Sequence, residues 1–485
     1  MEPLAEVMDN NQLLLSELYK RAVGSAPAAV TRLIGSGSAR AYYRLEGERS
    51  LIGTIGTSVA ENRAFLYLDS HFAEAGLNVP TVVAVSDDEM AYLQSDLGDT
   101  SLFRLLQFNN LKPDERTHGL LRETIGRLPD IQYKGARGLD FRHCYPVERF
   151  DRRSVMWDLN YFKYCFLKIS GIEFDEAGLE DDFEHLAGLL LDDSDSKPTF
   201  MYRDFQSRNV MIKENAPWFI DFQGGRRGPA LYDLASFLWQ ARAGFSHELR
   251  SELAAVDLES VQRYHHWDAD EFNYRLSLFA LFRTLQVLGA YGLRGLHEQK
   301  PHFIESIFPA LNNLKSLSIG LERDFPALSA AAAQILECPL FSQPTKIDGL
   351  TVEVNSFGFR AGGIPRDLTG NGGGFVFDCR AITNPGRIQE YMPLTGLDEP
   401  VRHFLEDDGE IIEFLTHAKA MVGESVKRYL ERGFTSLKVS FGCTGGRHRS
   451  VYCAQVMAEW LNAEFGVTVD LYHRERGIHK LLPAR

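Results

Sequence analysis

The chain has 485 residues, of which 44% are hydrophobic and 24% charged, and its formal net charge is −14. At roughly 100–200 residues per domain this length implies two to four domains, and the composition excludes a mostly disordered or fibrous chain. The acidic balance opposes non-specific attraction to nucleic acid or anionic membrane, so any anion site has to be a focused one.

The six cysteines, Cys144, Cys165, Cys338, Cys379, Cys443 and Cys453, lie far apart and contain no C-x-x-C pair. That pattern predicts neither a disulfide framework nor a thiolate metal site, and it suits a reducing cytoplasm. The N-terminal stretch is acidic and leads into no signal-like apolar core. The most apolar helical stretch, LSLFALFRTLQVLGAYGL, is interrupted by Arg283 and Gln286, so no membrane span is expected.

In chain order, residues 11–33 read as an amphipathic helix and the entry to a strand. GSGSARAYYRLEG (35–47) and SLIGTIG (50–56) form a glycine-turned hairpin pattern, ENRAFLYLDSHFAEAG a helix, and TVVAVS (81–86) and MAYLQSDLG (90–98) two apolar strands. From Asp99 to Arg323 the pattern is mainly helical, interrupted by MYRDFQSRNVMIKENAPWFIDFQGG (201–225), where VMI and WFID are short strands around the turn-like KENAP. An alanine-rich, then Pro/Ser-punctuated stretch at 326–345 reads as a helix end and a domain linker, with the boundary near 340. Beyond it, LTVEVNSFGF, GGFVFDCR and TSLKVSFGC read as strands alternating with helices, the pattern of an α/β module with a mostly parallel sheet. Charge is nearly balanced after residue 345, so the acidity belongs to the first part.

Asp204 and Asn209 stand five apart in the insert, and Asp221 ends the next strand. Phosphoryl transfer needs a carboxylate to accept the acceptor hydroxyl's proton and oxygen ligands for Mg²⁺ between the phosphates. This spacing supplies Asp204 as base and Asn209 and Asp221 as metal ligands.

The run YRDFQSRN…WFIDFQGGRRGPALYDLASFLW resembles the aminoglycoside-phosphotransferase-like kinases, and more closely their branch acting on the anomeric hydroxyl of N-acetylmuramate and N-acetylglucosamine. The resemblance covers 1–325 and implies an α+β, protein-kinase-like bilobal domain, with an N-lobe at 1–98 and a C-lobe at 99–325, using ATP and Mg²⁺. By it, Asp204 is the base, Asn209 and Asp221 hold the metal, and Glu61 is the small-lobe helix carboxylate. Gly35, Ser36, Gly37, Ser38 and Arg40 would form the phosphate-covering loop, and Asp233 would tie down the segment after the metal loop. Tyr202 replaces the family's usual histidine. SLIGTIG also lacks the strand lysine that meets the nucleotide phosphates, leaving Arg40, Arg44 or backbone N–H groups to substitute.

In the second half, SLKVSFGCTGGRHRSVYCAQVMAEW is a strand, a glycine-containing loop and a helix capped by Ser450. Such a loop turns N–H groups and a helix N-terminus toward an anion. The spacing Cys443-(x5)-Arg449-Ser450 also matches a cysteine-phosphatase loop, with a thiolate nucleophile and an arginine for the oxygens. SFGF, VFDCR, NPGR, PLTGLDEPV, GCTGGRHRSV and HRE together resemble the C-terminal domain of the RNase adapter RapZ over 346–485. That resemblance implies binding of an amino-sugar phosphate, or of small RNA, and self-association. The implied pocket is Cys443, Thr444, Gly445, Gly446, His448 and Arg449, walled by Ser356 and Arg380. Net acidity and the lack of a lysine-rich tail favour a small anion over RNA. His473 and His479 read as surface residues, and Trp157, Tyr161 and Tyr164 as core.

Together these readings predict a cytoplasmic, ATP-dependent sugar kinase joined to a sugar-phosphate-sensing domain. The alternatives are a small-RNA adapter with a degenerate kinase lobe, and a C-terminal cysteine phosphatase.

Overall fold

The computed structural model describes residues 9–33, 40–192, 199–341, 349–365, 374–407 and 409–484. The chain divides into two compact units, Met1–Gly292 with Pro309–Cys338, and Leu293–Phe308 with Pro339–Arg485.

The first unit opens with five antiparallel strands, β1 (Ala29–Leu33), β2 (Ala41–Glu46), β3 (Leu51–Ile55), β4 (Val82–Val85) and β5 (Ala91–Ser95), in the order β1-β2-β3-β5-β4. The helix Asn10–Val23 presses Leu15, Leu18 and Tyr19 against Tyr43, Leu45, Leu51 and Leu93 of this sheet. The helix Val59–Glu74 starts where the Ser58 hydroxyl accepts the Glu61 N–H. Its Phe65 stacks on Tyr92 of β5 and on Phe222, which ties the small sheet to the residue after Asp221.

The remainder of this unit is helical, apart from two short ribbons. β6 (Phe200–Met201) pairs with a later strand, while β7 (Val210–Lys213) and β8 (Ala216–Phe219) form a hairpin. The partner of β6 is β9 (Arg226–Arg227). Glu214 and Asn215, at φ 52° and 59°, make the two-residue turn that KENAP predicts.

The stretch read as a helix end and linker holds a full helix of the first unit, Pro326–Glu337, with Leu328, Ala331, Ala332 and Ile335 buried and the Leu328 N–H donating to Asp182, and the second unit resumes at Pro339. High alanine helix propensity and an apolar stripe explain why this segment folds rather than links. Residues 293–308, expected inside the C-lobe, fall in the second unit. The helical run Ala269–His297 is long and apolar enough to span a membrane by length and composition, but 67% of its most apolar window is buried in the protein.

The second unit carries β10 (Thr351–Gly358), β11 (Gly374–Asp378), β12 (Ser436–Cys443), β13 (Thr468–His473) and β14 (Ile478–Leu482) in the order β11-β12-β10-β13-β14. The first four are mutually parallel and β14 is antiparallel. Helices Glu410–Glu431 and Arg449–Phe465 supply Leu415, Val422, Met457 and Leu461 to its core. The strand after β12 crosses to the far side of β10, so the loops following β10 and β12 meet at a topological switch point, where open α/β sheets bind ligands.

Candidate functional sites

In the first unit, Asp204 follows a buried β-strand, and its own preceding residue is held in an unusual conformation. Arg203 has φ 79°, and its N–H and that of Tyr202 donate to Asp233 at 3.0 and 2.8 Å. Asp233 is fully buried, also accepts from Gln132 at 2.9 Å, and burial pushes its carboxyl up to about 7. The aspartate expected to fasten the segment after the metal loop therefore fastens the backbone just before Asp204. Its helix Leu231–Leu238 places it beneath that turn, out of reach of solvent.

Asp204 is half exposed, Asn209 buried, and the Asn209 amide donates to the Asp204 carbonyl at 2.8 Å and to Asp221 at 3.1 Å. Asp221 also has positive φ, 70°, and accepts from Gln223 at 2.9 Å. Such conformations cost energy and persist where the surroundings enforce them. Burial, then the negative charge of Asp204, push the Asp221 carboxyl above the ordinary carboxylate range. A divalent cation would reverse that repulsion, and the Asn209 amide oxygen stays available because its nitrogen makes both bonds. The residues present thus fit Mg²⁺. The Tyr202 hydroxyl donates to the Ile220 carbonyl, so the residue replacing histidine still bridges the two chemical segments.

Arg40, immediately before β2, pairs with Glu61 at 3.1 Å, its side chain only 3% exposed. It lies within electrostatic reach of Asp221, whose proton affinity it lowers. Arg44 is committed elsewhere, to Asp96 and Asp99 at 2.8 Å each. Gly35, Ser36, Gly37 and Ser38 lie outside the described residues.

One neighbour of Asp204 escaped the motif reading. Arg283 lies 3.5 Å from the Asp204 carboxylate with its side chain 8% exposed, donates to Ser236 and bonds Gln286. Gln286 in turn donates to Asp158 at 3.1 Å, and Asp158 pairs with Arg203 at 2.6 Å. Trp157 and Tyr164, read as core, are 60% and 53% exposed and lie under Arg153, and under Lys163 and Lys168. The helix Arg152–Phe162, which carries Trp157, buries Val155, Leu159 and Phe162 instead.

In the second unit, Cys443 ends β12 and the helix Arg449–Phe465 starts six residues later. Ser450 does not cap that helix; its hydroxyl lies 3.1 Å from the Cys443 sulfur. Burial works to raise the thiol's pKa, but the Ser450 hydroxyl and the N–H groups of Ser450, Arg447 and Gly446 outweigh it and bring it below the ordinary range. Gly446 has φ 67°, and a Cβ there would lie 2.6 Å from Glu475 Oε2. Gly445 is exposed, and the Thr444 carbonyl accepts the Arg360 N–H.

Arg449 is buried and its Nη1 donates to the carbonyls of Arg380 and Ile382 at 2.9 and 2.7 Å. His448 donates to the Tyr391 carbonyl at 3.0 Å, and burial lowers its pKa. Arg380 turns its own guanidinium to Asp378 and the ring of Phe359, and meets Arg449 only through its backbone. Ser356 is no open wall: fully buried on β10, it donates to His473 Nδ1 at 2.9 Å. His473, expected at the surface, is fully buried on the adjacent strand, and burial lowers its pKa to about 4. His479 is exposed and bonds Asp470.

Comparisons with known proteins bear out both resemblances. Residues 30–270 match the phosphotransferase enzyme family and residues 350–477 the RapZ C-terminal domain. A nucleotide-binding protein of Thermoanaerobacter sp. (strain X514) is 36% identical over 138 residues, 28% of this chain and 46% of its own. One of Fervidobacterium nodosum is 39% identical over 125 residues, 26% and 42%. The chain thus spans less than half the length of these curated relatives. Among solved structures, a choline kinase of Streptococcus pneumoniae is similar at 11% identity, covering 64% of this chain and 100% of its own with a TM-score of 0.43. An aminoglycoside 2′-phosphotransferase solved with GDP gives 13%, 64%, 99% and 0.45.

Proposed function

The chain joins a phosphotransferase-family domain to a RapZ C-terminal domain, and on that premise we propose that it is an ATP-dependent kinase of an N-acetylhexosamine, acting on the anomeric hydroxyl. The observation that carries the catalytic reading is the joint arrangement of Asp204, Asn209 and Asp221 with the Arg40–Glu61 pair. It speaks against a degenerate lobe, because a buried arginine paired with the helix carboxylate Glu61 stands in the small lobe despite the absent lysine.

Asp204 accepts the proton of the attacking hydroxyl as that oxygen closes on the γ-phosphorus of ATP. Arg283 orients the carboxylate, and Asp233 holds the turn that presents it. Asn209 and Asp221 would hold Mg²⁺, which when bound neutralises charge between the phosphates. Arg40, aimed by Glu61, faces the phosphate oxygens in place of a lysine. Both the acceptor class and cell-wall recycling as context rest on the motif resemblance. The six free cysteines suit a reducing cytoplasm.

The second domain would bind an amino-sugar phosphate in the loop 443–450 and regulate the kinase, which gives both domains one metabolite class. The test is ATP consumption with Mg²⁺ across N-acetylglucosamine, N-acetylmuramate, N-acetylgalactosamine, glucosamine and an aminoglycoside, for the wild type and Asp204→Asn. Turnover on an N-acetylhexosamine that disappears in the variant is expected. Equal turnover in both proteins, or none on any acceptor, refutes the reading.

A further inference from the structure

We propose that the loop after β12 is a cysteine-dependent phosphomonoesterase centre, with Cys443 as nucleophile and Arg449 holding the phosphoryl oxygens. The inference rests on the reading of this loop as a phosphate-ester site and adds covalent chemistry to it.

Two independent observations carry it. The first is the setting of the sulfur. Cys443 lies at the base of the loop, 3% exposed, with the Ser450 hydroxyl at 3.1 Å and the Gly446, Arg447 and Ser450 N–H groups turned toward it. A structural cysteine buried among apolar groups is held as a thiol; here the donors favour the thiolate, the form that attacks phosphorus.

The second is Arg449. Its guanidinium is buried, with Nη1 fixed by two carbonyls, yet its Nε–H has no hydrogen-bond partner among the described residues. A buried guanidinium N–H without an acceptor is costly, and an oxygen of a bound phosphoryl group removes that cost. Helix Arg449–Phe465 begins at this residue, so its dipole adds to the same field. Gly446 keeps the loop backbone close to Gly358 and Glu475, where any side chain would collide.

The Cys443 thiolate forms an S–P bond while the ester P–O bond breaks, and the leaving oxygen departs with the electron pair and takes a proton from solvent. Water then attacks phosphorus, the S–P bond breaks, and inorganic phosphate leaves with the thiolate restored. No oxidant, metal or second substrate enters the balance.

The test uses the full chain, reduced, with chelator present and para-nitrophenyl phosphate as probe, because para-nitrophenolate leaves without an acid. Release of para-nitrophenolate is expected from the wild type, falling by about 1,000-fold in Cys443→Ser. Stabilisation of the wild type by inorganic phosphate, with release no faster than from Cys443→Ser, overturns the esterase and leaves the anion-binding reading standing. Absence of phosphate stabilisation in the wild type overturns both. Alkylation covers the case of a misfolded variant: at about pH 6 iodoacetate should modify Cys443 ahead of the other five cysteines, slowed by phosphate. Uniform or phosphate-insensitive labelling counts against the thiolate.

Discussion

Arg40 and Glu61 form an ion pair of 3.1 Å beside a strand, β3, that carries no lysine. The pair joins the start of β2 to the helix Val59–Glu74, and on the proposed kinase reading Arg40 takes the part of the missing lysine. Arg40→Ala should lower kcat/KM for ATP by about 100-fold, the cost typical of losing one preorganised donor to developing charge. Arg40→Lys should recover part of it, being a shorter point charge that cannot fork. Steady-state kinetics with ATP varied decides this, and an unimpaired Arg40→Ala would return the role to backbone groups.

On the proposed mechanism Arg283 acts through Asp204, which it approaches to 3.5 Å. Its helix is apolar around it, and it reaches Asp204, Ser236 and Gln286 at once, so it fixes where the carboxylate points. Arg283→Gln should cut kcat by about 10- to 100-fold with KM for ATP little changed, because orientation and not nucleotide affinity is lost. Arg283→Lys should rescue part of kcat. A fall in KM and kcat that tracks a loss of thermal stability in both variants indicates a purely structural role.

Much of this was legible in the sequence. Turn residues and alternating apolar strands marked the small sheet, and the string from Arg203 to Asp221 marked three side chains, Asp204, Asn209 and Asp221, that the fold brings together. Arg283 and Gln286 were visible only as interruptions of an apolar helix. Their purpose depends on a tertiary approach to Asp204 and Asp158 that no local pattern encodes. His473 and Ser356 failed for the same reason: polar residues one strand apart satisfy each other inside the sheet. β13 is readable in principle, since VTVDLYH alternates. Trp157 and Tyr164 sit at helical spacing, yet the buried stripe of that helix is the one beside them.

Asp257 sits fully buried in the helix His247–Val261, with Oδ1 lacking a hydrogen-bond partner among the described residues, and burial, with a smaller effect from Asp233, pushes its carboxyl up to about 8. An unfolded aspartate titrates near 3.9. The folded state therefore binds the proton more tightly, so this contribution to stability is complete below about pH 4 and is lost as pH rises toward about 8. Wild-type thermal unfolding of the first unit should weaken across that window relative to Asp257→Asn, which carries no titrating group. Calorimetry at several pH values reads the difference, and parallel curves for the two proteins refute it.

Gly445 and Gly446 are neighbours with opposite tolerance. At Gly446 a Cβ would meet Glu475 Oε2 at 2.6 Å and the Gly358 nitrogen at 2.8 Å, and the backbone has φ 67°; at Gly445 nothing lies within 4 Å. Glu475 is itself held by Arg474, and the Gly358 nitrogen is main chain, so neither yields without moving the loop. Gly446→Ala should therefore abolish stabilisation by inorganic phosphate, at a cost of about 1–3 kcal/mol in folding, whereas Gly445→Ala should bind phosphate nearly as the wild type does. Thermal-shift titration of both variants separates the cases: equal phosphate responses would mean that the N–H groups of this loop do not hold the anion.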